Sequence, residues 1–256
     1  MTVALVDVTR ANPVARLLSA LLIAVALVFS IDWVSALTAL VLETIVLLTS
    51  GIALRKFVQR SLPVVIAAFF TAVTILLYGQ ASGTVHAQFL LIVVSDGSIA
   101  LAAATFLRVL AIGLPSILLF LDIDPTDLAD GLAQILRLPA RFVLGALAGF
   151  RLIGLLQHDW QYLGYARRAR GVADHGRVRR WAGQAFALLV FAVRRGSKLA
   201  TAMEARGFGA YPDRTWARVS TLSRADIVVI ALGALIGILS IAAAVTAGTW
   251  SFIGAR

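Results

Sequence analysis

Apolar residues run almost unbroken from Leu17 to Ile31, Trp33 to Leu54, Leu62 to Tyr78, Ser98 to Leu121 and Ile227 to Ile253. A helix needs about 20 such residues to cross the hydrocarbon of a bilayer. The pattern predicts about five transmembrane helices. Pro13, a good first helical residue, lengthens the first and otherwise short run. Asp32 marks a tight turn, and Arg55, Lys56 and Arg60 form a basic loop. Glu43 falls in the middle of the second run. Arg108 and a kinking Pro115 interrupt the fourth. Val85 to Val94 is too short to cross as a helix. It is rich in β-branched residues and closes on the turn signal Ser95-Asp96-Gly97, so a short extended or re-entrant segment is expected.

Between the fourth and last spans the pattern changes. Asp124 is suited to cap a helix, Pro125 to open it and Asp127 to complement its dipole, in an amphipathic helix reaching about Arg137. Phe142 to Leu156 is apolar except for Arg151. Asp159, Arg167, Arg168 and Arg170 follow on the same helical run, and Gly171 ends it. Val172 to Arg180 reads as a polar, basic loop. Ala182 to Val193 is apolar again, and Arg194 to Arg206 is amphipathic up to the stops at Gly207 and Pro212. The expected organisation is membrane-spanning helices over 1–121, a cytoplasmic helical region over 122–224 and a C-terminal transmembrane helix over 225–256.

Composition supports an all-α membrane protein: 60% of residues are hydrophobic, 14% are charged and the mean hydropathy is +0.92. No cysteine is present, which excludes thiol catalysis and cysteine metal sites. The net charge of +10 raises nucleic acid as a partner until the charges are placed. Of 23 lysines and arginines, 16 lie between Asp122 and Arg224, and none lies near Asp32 or from Gly79 to Gly97. The positive-inside rule then puts the N-terminus, the Arg55 loop and 122–224 in the cytoplasm, and the C-terminus outside. One assignment satisfies every loop, so nucleic acid is not needed to explain the charge. Arg10 and Arg16 ahead of an apolar run resemble a signal peptide. A second apolar run follows at once without a small-residue cleavage site, so a retained span in the inner (plasma) membrane is expected.

One short pattern occurs twice. Ala166-Arg167-Arg168-Ala169-Arg170-Gly171 and Ala202-Met203-Glu204-Ala205-Arg206-Gly207 both end in Ala-Arg-Gly, with their arginines 36 positions apart. Helix capping explains each copy alone: the glycine takes the left-handed cap and the arginine complements the dipole. Small residues three apart also let another backbone approach closely, and an arginine at an exposed tip is a planar donor fork suited to an acidic groove. Capping and docking both remain open on spacing alone.

Glu43 and Arg108 invite a relay reading, but charged groups in hydrocarbon more often serve structure by pairing or facing a polar interior. The pairs Gly145/Gly149 and Gly233/Gly237 permit close helix packing. His86, His158 and His175 are scattered, so no metal site is expected. No phosphate-binding Gly-rich loop with a following Lys exists, so this chain is expected to hold no ATP and no cofactor of its own.

The ordered blocks Phe106-Leu107-Arg108-Val109-Leu110, Asp124-Pro125-Thr126-Asp127-Leu128, Leu138-Pro139, Phe150-Arg151 and the two Ala-Arg-Gly motifs resemble the T component of energy-coupling factor (ECF) transporters, the cobalt-transport CbiQ-like family. The resemblance covers roughly Leu101 to Pro212. It implies a helical membrane bundle with long cytoplasmic coupling helices that cross one another. It implies a non-enzymatic subunit of an ATP-driven importer of vitamins or of transition-metal ions. It also implies docking of Arg170 and Arg206, with Ala166, Arg167, Ala169, Gly171, Ala202, Glu204, Ala205 and Gly207, into two ABC-type ATPases, and support of a substrate-binding S component in the bilayer. The first motif is crowded by Arg167 and Arg168 where the second has Met203 and Glu204, so the two grooves need not match and the ATPases are identical or different. The alternatives are a stand-alone secondary transporter using Glu43 and Arg108, and a membrane enzyme using Asp122, Asp124, Asp127 and Asp130. No inverted repeat supports the first, and the acid spacing suits a helix start better than a metal site.

Overall fold

The computed structural model describes residues 11–29, 32–50, 54–79, 82–89, 92–120, 123–171, 176–210 and 215–250. Eight helices and one hairpin follow in order: α1 Pro13–Val28, α2 Trp33–Thr49, α3 Leu54–Tyr78, β1 Val85–Phe89, β2 Ile92–Ser95, α4 Asp96–Phe120, α5 Pro125–Gln134, α6 Ala140–Ala169, α7 Arg177–Ala205 and α8 Arg224–Thr246. The all-α membrane class is therefore borne out, with the hairpin as its small exception. The chain divides into two compact units, Met1–Asp124 with Thr221–Arg256, and Pro125–Ser220.

The first unit holds α1 to α4, the hairpin and α8. Its helices start where short polar side chains can satisfy the orphan N–H groups of a first turn. The Asn12 side chain accepts from the Val14 N–H at 3.0 Å, directly ahead of Pro13. Asp32 is more than a turn: it caps α2, accepting from the Ser35 N–H at 2.8 Å and the Ser35 hydroxyl at 2.5 Å. Ser223 and Asp226 form a reciprocal capping box on α8. The first carboxylate oxygen of Asp226 also accepts from the Asn12 N–H at 2.5 Å, so the starts of α1 and α8 are tied together.

Within this unit α4 packs on α1, α2 and α3, and α8 packs on α1 and α2. Ile23, Leu27, Ala39, Ala111 and Ile236 form its largest buried cluster, drawn from α1, α2, α4 and α8. Gly233 and Gly237 do what their spacing suggests. A Cβ at Gly233 would lie 2.8 Å from the Ser19 Cα, and one at Gly237 would lie 2.9 Å from the Ala26 Cβ. The α1 and α8 backbones meet through those gaps.

Two sequence expectations need correction, and a third, the short extended segment, is sharpened. Helix α3 begins at Leu54, not Leu62, so the Arg55–Arg60 stretch is helical rather than a loop. Arginine and lysine are good helix formers, and charge alone does not end a helix. Helix α2 ends at Thr49 with Ser50 as its cap, short of Leu54. The segment around 85–94 is an antiparallel hairpin, pairing Gln88 with Val93 and Phe89 with Ile92. The hairpin is held to the start of α4 by Asp96, which accepts from the Thr84 N–H at 3.2 Å and contacts His86 Nε2 at 2.6 Å.

Four described helices are long and apolar enough to cross a membrane: α3 over Phe57–Tyr78, α4 over Asp96–Ile117, α6 and α8. Helices α1 and α2 are apolar but shorter, at 16 and 17 residues.

The second unit contains α5, α6 and α7. Ala129 and Ala133 of α5 are buried against Val143 of α6, with Leu132, Leu147 and Trp216 around them. Gln134 fixes the returning chain, donating to the Arg218 carbonyl at 2.8 Å and accepting from the Ser220 N–H at 2.9 Å. Arg137, where the amphipathic helix was expected to end, lies beyond α5 with a positive φ of 53°.

Candidate functional site

The two Ala-Arg-Gly motifs sit at the C-termini of the two longest helices, of 30 and 29 residues. Each glycine takes the left-handed conformation, φ 67° at Gly171 and 75° at Gly207. A non-glycine residue pays for that conformation, which is why glycine stands there. Gly171 N–H donates to the Arg168 carbonyl at 3.0 Å, and Gly207 N–H to the Glu204 carbonyl at 2.9 Å. At the second tip Phe208 N–H also reaches back to the Met203 carbonyl at 3.0 Å, completing the two-bond motif that closes a helix end.

This capping is a backbone matter and leaves the arginine side chains over. Arg170 and Arg206 each occupy the C-cap position, and both are exposed. Among the described residues neither guanidinium has a hydrogen-bond or ion-pair partner. Ala166, Ala169, Ala202 and Ala205 are exposed as well, so each arginine stands beside a low, open strip of helix. Capping and docking are thus compatible: the glycine closes the helix while the arginine stays free.

The distance between tips follows from the helix contact. Arg167, one turn before the first tip, donates to the Arg180 carbonyl near the start of α7 at 3.2 Å. From Arg180 to Arg206 the helix rises 1.5 Å per residue, so the tips are on the order of 40 Å apart. Helices α6 and α7 also meet elsewhere. Gln184, buried, donates to the Trp160 carbonyl at 2.6 Å, and the Trp160 and Trp181 rings meet edge to face at 5.6 Å between centroids. Asp159 accepts from both terminal nitrogens of Arg195, at 2.7 and 3.5 Å.

The neighbours of the two motifs differ as their sequences do. Arg167 is half-buried and turned onto Gly183 of α7, where a Cβ would lie 3.2 Å from its terminal nitrogens. It joins α6 to α7 rather than standing at the tip. Arg168 is exposed and lies over the Tyr165 ring at 5.3 Å. Glu204 is exposed and Met203 half-buried at the second tip. The contribution of Trp160, Trp181 and Gln184 was missed in the sequence, because no local spacing reports a contact between residues so far apart.

The intramembrane charges are not brought together. Glu43 is buried, and neither carboxylate oxygen has a hydrogen-bond partner among the described residues. Arg108 is half-buried with one terminal nitrogen unsatisfied among the described residues. No pairing of Glu43 with Arg108 is seen, so a relay through the two has no geometric support. Arg16 is buried too, which its place at the edge of an apolar run did not suggest. Among the described residues no three His, Cys, Asp or Glu side chains gather to hold a metal. His86 is engaged with Asp96, and Asp127 with Arg218 at 3.3 Å. His175 and Asp122 lie outside the described residues.

Apolar helices long enough to span a bilayer, with two arginine-tipped helix ends in the second unit, define a multi-pass helical membrane protein. The model of the cobalt transport protein family, CbiQ, matches residues 8–216, and the chain belongs to that family. Among curated relatives it is 28% identical over 209 residues to an energy-coupling factor transporter transmembrane protein, EcfT, of Lacticaseibacillus paracasei, covering 76% of this chain and 78% of that one. It is also 28% identical over 200 residues to EcfT 1 of Listeria monocytogenes, covering 73% and 74%. Over 172 residues it is 27% identical to EcfT of Limosilactobacillus fermentum, covering 62% and 64%. The resemblance to ECF T components is borne out.

Proposed function

We propose that this chain is the transmembrane coupling component of an ATP-driven ECF importer for a vitamin or a transition-metal ion. It catalyses nothing itself and binds no ATP. Two ABC-type ATPases, identical or different, dock on Arg170 and Arg206. Their motion on binding and hydrolysing ATP passes through α6 and α7 to the membrane body, where a separate S component reorients and releases substrate. The chain sits in the inner (plasma) membrane with its N-terminus and 122–224 in the cytoplasm.

One observation carries this reading: two unpartnered arginines stand at matching helix ends about 40 Å apart by helix length, in a chain of this family. A single protein surface does not need two such tips so far apart; a pair of partners does. Each guanidinium can make a bidentate, charge-assisted contact with a carboxylate. Arginine anchors of this kind cost about 2 kcal/mol or more when truncated. Arg170→Ala with Arg206→Ala is therefore expected to strip the ATPases from the purified complex while the membrane part stays folded. Retention of the full ATPase complement by the double variant contradicts the proposal.

A further inference from the structure

Just short of the first tip, α6 and α7 enclose a cavity of about 450 Å³. Arg167, Arg168 and Arg180 line it, and among the described residues no acid does. The rest of its wall includes Trp160, Tyr165 and Trp181.

A second observation concerns the start of α7. The first turn of a helix carries unsatisfied N–H groups and a partial positive charge, which favour acids and anions. Here the first turn holds Arg177, Arg179 and Arg180, contains no acid, and has no side-chain cap hydrogen bond at Gly176. From Arg167 to Arg180 the sequence carries six arginines against one acid, Asp174. Like charges gathered at the wrong end of a helix weaken the fold. An anion at that end reverses the sign of the effect.

We infer that this cavity binds the phosphate of an anionic phospholipid headgroup. Arginine forks match phosphate oxygens in geometry and charge. The lipid source, rather than free phosphate, follows from the apolar surface beside the cationic one. Trp181, which lines the cavity, is 59% exposed, and Val178, one turn before it on α7, is 84% exposed. A free anion gains nothing from covering such residues, whereas an acyl chain does. Tryptophan and tyrosine are also the side chains that prefer the headgroup layer. Occupancy neutralises the arginines beside the first tip and braces α6 against α7.

The test uses the purified chain, alone and in its complex, in nanodiscs of phosphatidylcholine with or without phosphatidylglycerol. Native mass spectrometry after mild release counts the retained lipid. Wild type is expected to keep phosphatidylglycerol in preference to phosphatidylcholine. Arg168→Gln with Arg180→Gln is expected to lose at least about tenfold of that retention, since each charge-assisted bond is worth a factor of that order. The Lys versions of both positions recover part of the retention, which separates lost charge from lost folding. Arg170→Gln, outside the cavity, leaves retention unchanged. Equal retention by wild type and the Gln variant overturns the inference. Competition by inorganic phosphate at equal concentration overturns the lipid source. Loss of ATPase with unchanged lipid in the Gln variant assigns the cavity to a protein partner and overturns it as well. Failure of docking at Arg170 and Arg206 is read from a different pair of residues and stays distinguishable.

Discussion

Glu43 shows how a single residue sets the chemistry of the membrane body. Its carboxylate is buried among apolar helices and has no hydrogen-bond partner among the described residues. An unpaired charge in that setting carries a desolvation cost of several kcal/mol. Glutamine has the same shape and cannot ionise. Glu43→Gln is therefore expected to raise or leave unchanged the thermal midpoint in detergent, and to leave ATP-driven uptake intact. A fall in uptake with unchanged stability would restore a transport role for this carboxylate. Both tip residues illustrate the converse. Arg170 and Arg206 are exposed, and their side chains make no hydrogen bond or ion pair among the described residues. Their positions could be read from the sequence, because Ala-Arg-Gly encodes both the cap and the exposed neighbour. The inward turn of Arg167 could not. It depends on Gly183 and on the Arg180 carbonyl, which only the packing of α6 on α7 brings within reach.

At the scale of elements, glycines separate internal contacts from free faces. Gly233 and Gly237 are packed against α1, whereas Gly145, Gly149 and Gly154 on α6 have nothing within 4 Å of a Cβ position. Gly233→Leu is expected to destabilise the body by about 1–3 kcal/mol, the usual cost of overpacking, and to lower its yield in detergent. Gly149→Leu is expected to leave the isolated chain as stable as wild type, checked by the same melting assay. Helix starts were legible because Asn12, Asp32 and Ser223 announce them with side-chain oxygens. Helix lengths were less so. Charges at Arg55, Lys56 and Arg60 suggested a loop where α3 continues, and the polar stretch before Ala182 hid the first turns of α7. In both places good helix formers happened to be charged, and hydropathy reads charge, not backbone preference.

For the whole molecule, topology is the claim with the widest reach. Helix α6 is long and apolar enough to span, yet Arg141, Arg151, Asp159, Arg167 and Arg168 punctuate it. If it crossed, the arginine-rich segment from Arg167 to Arg180 would lie on the side where the loops near Asp32 and Gly79 carry no basic residue. The positive-inside rule argues against that and keeps α6 with the coupling region. The absence of cysteine makes the test clean. With single cysteines at Val85→Cys and Thr201→Cys, a membrane-impermeant maleimide applied to intact cells is expected to label the first and spare the second until the membrane is opened. Labelling of Thr201→Cys from outside reverses the assignment. The apolar helices were within reach of the sequence because they rest on length and hydropathy, and the maleimide labelling tests the sidedness that the charges predict. The packing of α6 on α7 was not within reach, since it rests on Gln184, Trp160 and the Asp159–Arg195 pair, all long-range contacts.

The central claim is that Arg170 and Arg206 each hold one ATPase, and the stoichiometry of the intact complex tests it most directly. Native mass spectrometry of the complex is expected to show two ATPases on the wild-type chain, predominantly one on Arg170→Ala, predominantly one on Arg206→Ala, and none on the double variant. Each loss should exceed about thirtyfold in retained ATPase, which corresponds to about 2 kcal/mol per anchor. Two ATPases retained by either single variant at wild-type occupancy, with the membrane body intact, would contradict the docking role of that tip.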